Sequence, residues 1–515
     1  MISHIVLTQT ILHSMKKGAI FMAKESSTSL RKGRLGVAGI VFFVVAASAP
    51  LVGMTGAVPV AMLLGNGAAT PGAYLAVGIT LLIFSVGYAA MSHKVTNAGA
   101  FFAYVGKGLG VNAGVASAYA SIVGYVTIQL AIYGFFGLTM GLTMAQFGVD
   151  LAWWVWALIA WLLVTGLSLL SVDIGAKILG VLLAVELLSL MVTAVAILAN
   201  GGPEGVNVGA SFDIGLVFAG GFAGTAGIAL AFAFASFIGF EATAIYGEES
   251  KNPKRDVPRA TYWAIGIISG LFAVVSFAMV TGMGAGAIID QVVERSSGLA
   301  DPSAVLFSLA AEYVSPEIVV VMALLVVTSL FAGLLAFQNA AARYFFAMGR
   351  GGVMPSSLGN TNAAGAPQNG AILTSVIAAA VIIAFAAAGL DPFLNLFSWM
   401  SGVAVIAVVA VEILVSIAVI AFFQKDGSGN LWNSKIAPGL SIVLLIAGLY
   451  MLMARFNLLA GTSADGVDPS LPESGWALSG LGWFLVLSPF IAMAIGFVVS
   501  STNKSKNAAL IKDFA

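Results

Sequence analysis

The 515-residue chain contains no cysteine and only three histidines. The first absence excludes disulfides, iron–sulfur clusters and thiol catalysis. His4, His13 and His93 are too scattered to form a metal set. Charge is scarce as well: charged residues make up 9% of the chain, against about 25% in an ordinary soluble domain. The formal net charge is zero, which gives no sign of a nucleic-acid partner. Catalytic signatures are also missing. In "YVGKGLG" the Gly-Lys pair is followed by Gly108 and not by Ser or Thr, so no Walker A loop forms, and neither GxSxG nor HExxH occurs. The chain offers nothing for ATP-driven pumping or hydrolysis, and we expect no enzyme and no cofactor.

What the chain has in abundance is apolar surface, 60% hydrophobic residues with mean hydropathy +1.03. A membrane span needs about 20 mostly apolar residues. Twelve runs meet that need, near 35–63, 72–92, 112–145, 151–171, 176–199, 216–246, 260–283, 317–347, 370–389, 393–423, 437–455 and 476–500. The expected fold is an all-α polytopic membrane protein, since backbone groups in lipid must bond within their own segment. Residues 1–34 do not read as a signal peptide, because "IVLTQTIL" is short and polar-flanked. Met15 or Met22 would serve as well as Met1 for a start.

Orientation follows from the basic residues. With the N-terminus inside, all of the 22 Lys and Arg except Arg295 and Arg455 fall on the cytoplasmic side, counting Arg343 at the inner end of its helix. The opposite loops carry Glu204, Asp213, Asp290, Glu294, Asp301, Asp465, Asp468 and Glu473. Both termini are therefore expected in the cytoplasm, as tails 1–34 and 501–515, with the protein in the cell membrane.

Two spans are long and interrupted. The first passes through Ala47, Ser48, Ala49, Pro50, Leu51, Val52 and Gly53, where Pro50 removes a ladder bond. The sixth, 216–246, would be about 46 Å long as a continuous helix, against an apolar core of about 30 Å. It has room for an unwound stretch from Ala235 through Ser236, Phe237, Ile238 and Gly239 to Phe240. Broken helices at corresponding places in two halves point to a transporter of the inverted-repeat kind, with amides and carbonyls free to hold a ligand. The halves would be 35–199 and 216–423, with helices 11 and 12 (437–500) outside this five-plus-five core.

The stretch "FASFIGFEATAIYGEESKNPKRDVPRA" resembles the sixth-helix signature of the amino acid–polyamine–organocation permeases. "NAGAFFAYVGKGLG" (97–110) is similar to that family's segment after helix two, and "NAAARYFFAMGRGGVMP" (339–355) to its helix-eight exit. The resemblance implies the five-plus-five fold and uptake or exchange of amino acids or amines, coupled to H+ or Na+. Two departures stand out. The family's Gly-Ser-Gly break in helix one is "AASAPLVG" here, and Glu186 stands where proton-coupled members place a helix-five lysine.

Acidic residues inside the membrane are costly and usually functional. Glu186 lies near the middle of the fifth span and Glu241 follows the break in the sixth; Glu412, in the tenth, reads as a structural tie between helices. The expected substrate site is residues 47–53 together with Phe234, Ala235, Ser236, Phe237, Ile238, Gly239 and Glu241. The phenylalanines would be its walls or gate. Glu186, Glu241, Thr328 and Ser329 are the expected ion-coupling groups. Glu248 and Glu249 would pair with basic residues of neighbouring loops as a cap on helix six. The leading function is an amino acid permease, with a polyamine or organic-cation carrier as the alternative and a nutrient sensor or channel on the same fold behind it. Substrate, coupling ion, exchange versus symport and oligomeric state are left open.

Overall fold

Apolar runs that must satisfy every amide internally become helices, and the computed structural model follows that rule. It describes residues 36–95, 100–170, 176–245, 250–363 and 365–502. Among these the chain is mostly helical and has no strand, with an isolated bridge joining Ser463 and Leu478. Nine helical runs among the described residues are long and apolar enough to cross a membrane. The protein is thus a multi-pass membrane protein. The tails 1–34 and 503–515, residues 97–99 of the second motif, and Glu248 and Glu249 lie outside the described residues.

The elements that position the site are α1 (Val37–Ser48), α2 (Thr70–Ser92), α3 (Val111–Ala145), α4 (Ala176–Asn200), α5 (Ala226–Phe237), α6 (Pro253–Met283), α7 (Pro316–Arg350) and α8 (Ser398–Asp426). Beyond α1 the helix resumes at Pro50 and continues to Asn66, partly in wider π turns. A kink at Gly65 and a positive φ at Gly67 then separate it from α2.

The sixth run departs from expectation. Its N-terminal portion, Ile214–Ala223, does not continue into α5 but meets it at 111°. Gly220 (φ +74°) and Gly221 (φ +56°) adopt left-handed backbone at that bend, which a side chain would oppose. The excess length expected from 216–246 is therefore taken up at both ends, by this bend and by the break after Phe237. The run expected at 151–171 is a shorter helix, Trp153–Leu169.

The central rod is α3, which packs against α7, α8, Ala100–Leu109 and Gly480–Thr502. Glycines make these crossings close, as small residues do at membrane helix interfaces. A Cβ on Gly124 would lie 2.9 Å from the Val408 side chain, and one on Gly134 2.3 Å from the Pro392 carbonyl. Arg455, one of the two basic residues outside the charge pattern, is buried. It donates to the Leu471 carbonyl (2.8 Å) and the Ser474 hydroxyl (2.9 Å), pinning the 456–475 loop to the end of its helix.

Gly134→Ala should lower the unfolding temperature of the detergent-purified protein, since overpacking costs about 1–3 kcal/mol. Gly266→Ala, whose Cβ would meet nothing within 4 Å, should leave it equal or slightly raised. Equal losses in the two variants would mean the α3 crossing is not tight.

Candidate functional site

At the first break Ala49 is left-handed (φ +42°, ψ +68°), strained backbone for a residue with a side chain. Pro50 has no N–H to give, so α1 closes with tighter bonds. Ala49 N–H donates to the Ala46 carbonyl (3.1 Å), and the Ser48 hydroxyl to that of Val45 (2.7 Å). The restarted helix then begins with amides that have no carbonyl one turn back. Leu51 N–H donates instead to Glu186 Oε1 of α4 at 2.8 Å, and the Ser329 hydroxyl of α7 donates to the same oxygen at 3.2 Å. A buried donor left without a partner costs about 1–3 kcal/mol. The buried Glu186 carboxylate removes that cost from the first break.

The second break runs from Ile238 to Glu241, between α5 and the short helix Ala242–Ile245. Gly239 has φ +110°, which admits glycine and strains other residues. Its N–H donates to Glu241 Oε2 at 2.9 Å. Tyr125 of α3 donates to Glu241 Oε1 at 2.6 Å, and Tyr88 of α2 to the Glu241 backbone carbonyl at 2.8 Å. Each break therefore has a buried carboxylate on one of its amides.

The breaks also touch. A Cβ on Gly239 would lie 3.2 Å from that of Ala47. One on Gly53 would lie 3.5 Å from the Ser236 hydroxyl and only 2.4 Å from the Phe272 ring of α6. Tyr74 stacks on Phe272 at 5.0 Å with its hydroxyl 3.4 Å from that of Ser236. Of the expected site residues, Ala47, Gly53, Ser236, Gly239 and Glu241 thus meet across one small region, with Glu186 and Ser329 bracing Leu51 from one side. Others do not join it. Thr328 bonds its own helix through the Leu325 carbonyl at 3.0 Å. Phe234 faces the helix Ala437–Ala454, its ring 3.1 Å from where a Gly448 Cβ would sit, and reaches only a small cavity beside the second break.

Several residues were not anticipated. Tyr88, Phe84, Phe101, Tyr104 and Phe240 form an aromatic cluster, with ring centres 5.1–6.4 Å apart, that closes one side of the second break. Phe101 and Tyr104 come from the "NAGAFFAYVGKGLG" motif, which gives that motif a packing role. Gln129 of α3 donates to Gln338 of α7 at 2.7 Å, and Gln338 in turn to the Ala371 carbonyl and the Ser375 hydroxyl, both at 2.8 Å. A signal for these was present: Ser117, Ser121, Tyr125, Gln129 and Tyr133 recur every fourth residue, a polar stripe along an otherwise apolar helix.

The family model described as "Amino acid permease" matches residues 39–501. The chain is 34% identical over 167 residues to the branched-chain amino acid permease BcaP of Lactococcus lactis subsp. cremoris, covering 32% of this chain and 33% of that one. It is 24% identical over 284 residues to the branched-chain amino acid permease BcaP of Bacillus subtilis, covering 55% and 51%. Over 291 residues it is 25% identical to the amino-acid permease GAP5 of Candida albicans, covering 55% and 44%. The aligned stretches span from a third to about half of these relatives.

Tyr125→Phe should destabilise the protein by about 1–3 kcal/mol, because Glu241 Oε1 loses a buried donor. Ser329→Ala should cost less, since Glu186 Oε1 keeps the Leu51 amide. Thermal unfolding of the purified variants checks the order, and the reverse order would mean that Tyr125 is not the main anchor of Glu241.

Proposed function

The chain belongs to the amino acid permease family, and from that premise we propose that it is a secondary active transporter carrying neutral amino acids with apolar side chains across the cell membrane. The contact between the two helix breaks, each with a carboxylate on one of its amides, carries this reading. The helix that restarts at Pro50 presents its amide end there, and α5 ends there in its carbonyls at Phe237. Helix ends attract opposite charges, so the first suits a substrate carboxylate and the second its ammonium. Phe272, Tyr74 and Ile238 around the contact suit an apolar side chain. Two of the relatives are named as branched-chain permeases, which supports leucine, isoleucine and valine as first candidates.

The two buried acids were the ground for a polyamine carrier. Each already accepts two hydrogen bonds from the protein, which meets part of its demand for a positive partner, and this disfavours a cationic substrate. Of the hydroxyls considered for sodium, Thr328 is bonded to its own helix and Ser329 to Glu186. Neither is brought into a set of several oxygen ligands such as a hard cation needs, and on that ground we take a proton as the coupling ion.

The twelve-span, five-plus-five layout belongs to this proposal. It follows if the Val37–Ser92 run divides at the Gly65–Gly67 turn and if the bent pair and Trp153–Leu169 each count as one span. The cytoplasmic placement of both tails is supported by the Lys94–Asp426 ion pair (3.1 Å) and by the 3.4 Å contact of Lys425 with the Gly108 carbonyl, which gather residues assigned to one side. The aromatic cluster around Tyr88 and Phe240 would then close the cytoplasmic side of the site, the role first given to Phe234 and Phe237.

Purified protein in liposomes should accumulate L-leucine saturably when the outside is made acidic, with isoleucine and valine competing and putrescine not. Putrescine uptake without leucine uptake would move the assignment to the organic-cation reading. Non-saturable flux would move it to a channel.

A further inference from the structure

Glu412 lies in α8, buried to 2% exposure, and its Oε2 has no hydrogen-bond partner. A tie between helices needs such a partner, so the structural role expected from the sequence does not fit this oxygen. The carboxyl lines a cavity of about 10 Å³ together with Leu81 of α2, Phe234 and Phe237 of α5, Ile238 and Phe240 of the second break, and Val409 of α8. That is room for about one water molecule. Apart from Glu412 and the backbone, the walls are apolar.

In the five-plus-five layout helix ten is the counterpart of helix five, so Glu412 on α8 answers to Glu186 on α4, each beside the broken helix of its own half. The parallel stops at one point. Glu186 is bonded to the Leu51 amide. At the second break the corresponding donor, Gly239 N–H, is already taken by Glu241, which leaves Glu412 beside the break with an oxygen to spare.

The charged groups nearby decide what that oxygen can hold. The second break, which lines the same cavity, carries a further buried carboxyl, Glu241, already bonded to Gly239 N–H and the Tyr125 hydroxyl. The helices packed against α8 add Tyr74 and Tyr88 from α2, Tyr104 and Lys107 from Ala100–Leu109, Tyr119, Tyr125 and Tyr133 from α3, and Lys435 and Tyr450 beside and within Ala437–Ala454. Lys107 and Lys435 belong with Lys425 at the far end of α8, about 20 Å from Glu412 by helical rise. No cation among these neutralises Glu412 in place. A charged carboxylate without a partner in an apolar wall is strongly disfavoured, so the group must carry a proton or a bound cation. Hard cations ask for several oxygen ligands, and one carboxyl in an apolar one-water cavity does not provide them.

We propose that Glu412, with a single water in this cavity, is the proton-binding site of the transport cycle. The carboxyl takes up a proton from the acidic exterior and, as the second break moves, releases it through the water to the interior, leaving the carboxyl ready for the next proton. This rests on the permease reading, and the test keeps the two apart. In liposomes two fluxes of L-leucine are compared, exchange at equal pH on both sides and accumulation driven by an acidic exterior. For Glu412→Gln the ratio of driven accumulation to exchange should fall by at least about tenfold, an ordinary size for coupling between two ligands. Val409→Ile, which adds one methylene at the cavity wall, should lower the same ratio and serves if Glu412→Gln does not fold. An unchanged ratio in these variants overturns the proposal. Wild-type exchange with no response to the pH gradient overturns it while leaving the permease reading intact, and absence of exchange overturns both.

Discussion

A buried amide must have an acceptor, and two helices of this protein break in the middle of an apolar bundle. The acceptor at each break is a glutamate. Glu186 takes the Leu51 amide from a neighbouring helix, and Glu241 takes the Gly239 amide from two residues further along its own chain. Without them the open backbone would carry unpaired donors in a buried, apolar setting, at a cost comparable to a large share of a protein's net stability. With them the chain can leave the helix at Ala49 and at Ile238, and the two open stretches can lie against each other.

The two supports differ in kind. Glu186 joins three separate elements, the first break, α4 and α7, so its position changes if those helices shift. Glu241 is held by Tyr125 and, through its carbonyl, by Tyr88, and it sits within the aromatic cluster around Phe240. Movement of α2 or α3 would reach the second break through these tyrosines. For the transport cycle proposed above, a substrate at these breaks need only bind one arrangement of the hydrogen bonds better than the other to favour a change of shape.

Much of this was legible in the sequence, because the constraints were local or compositional. Hydropathy located the long apolar helices, Pro50 marked the first break, and Gly239 followed by an acid marked the second. The cost of an acid in lipid singled out Glu186 and Glu241. What could not be read were partners distant in the chain. Nothing local to Glu186 indicates Leu51, 135 residues away, and nothing local to Glu241 indicates Tyr125. The bend at Gly220–Gly221 was hidden because an apolar run keeps the same hydropathy whether straight or bent. Thr328 shows the opposite limit: a hydroxyl in a membrane helix has its own carbonyls in reach, and these took precedence over a distant ion site.

The central claim is that the contact between the breaks is where substrate binds. A structure of the reconstituted protein with saturating L-leucine tests it most directly. The account predicts ligand between residues 47–53 and 236–241, with the Leu51–Glu186 and Gly239–Glu241 hydrogen bonds kept. Leucine seated elsewhere, or breaks wound into continuous helix with no ligand between them, would contradict it.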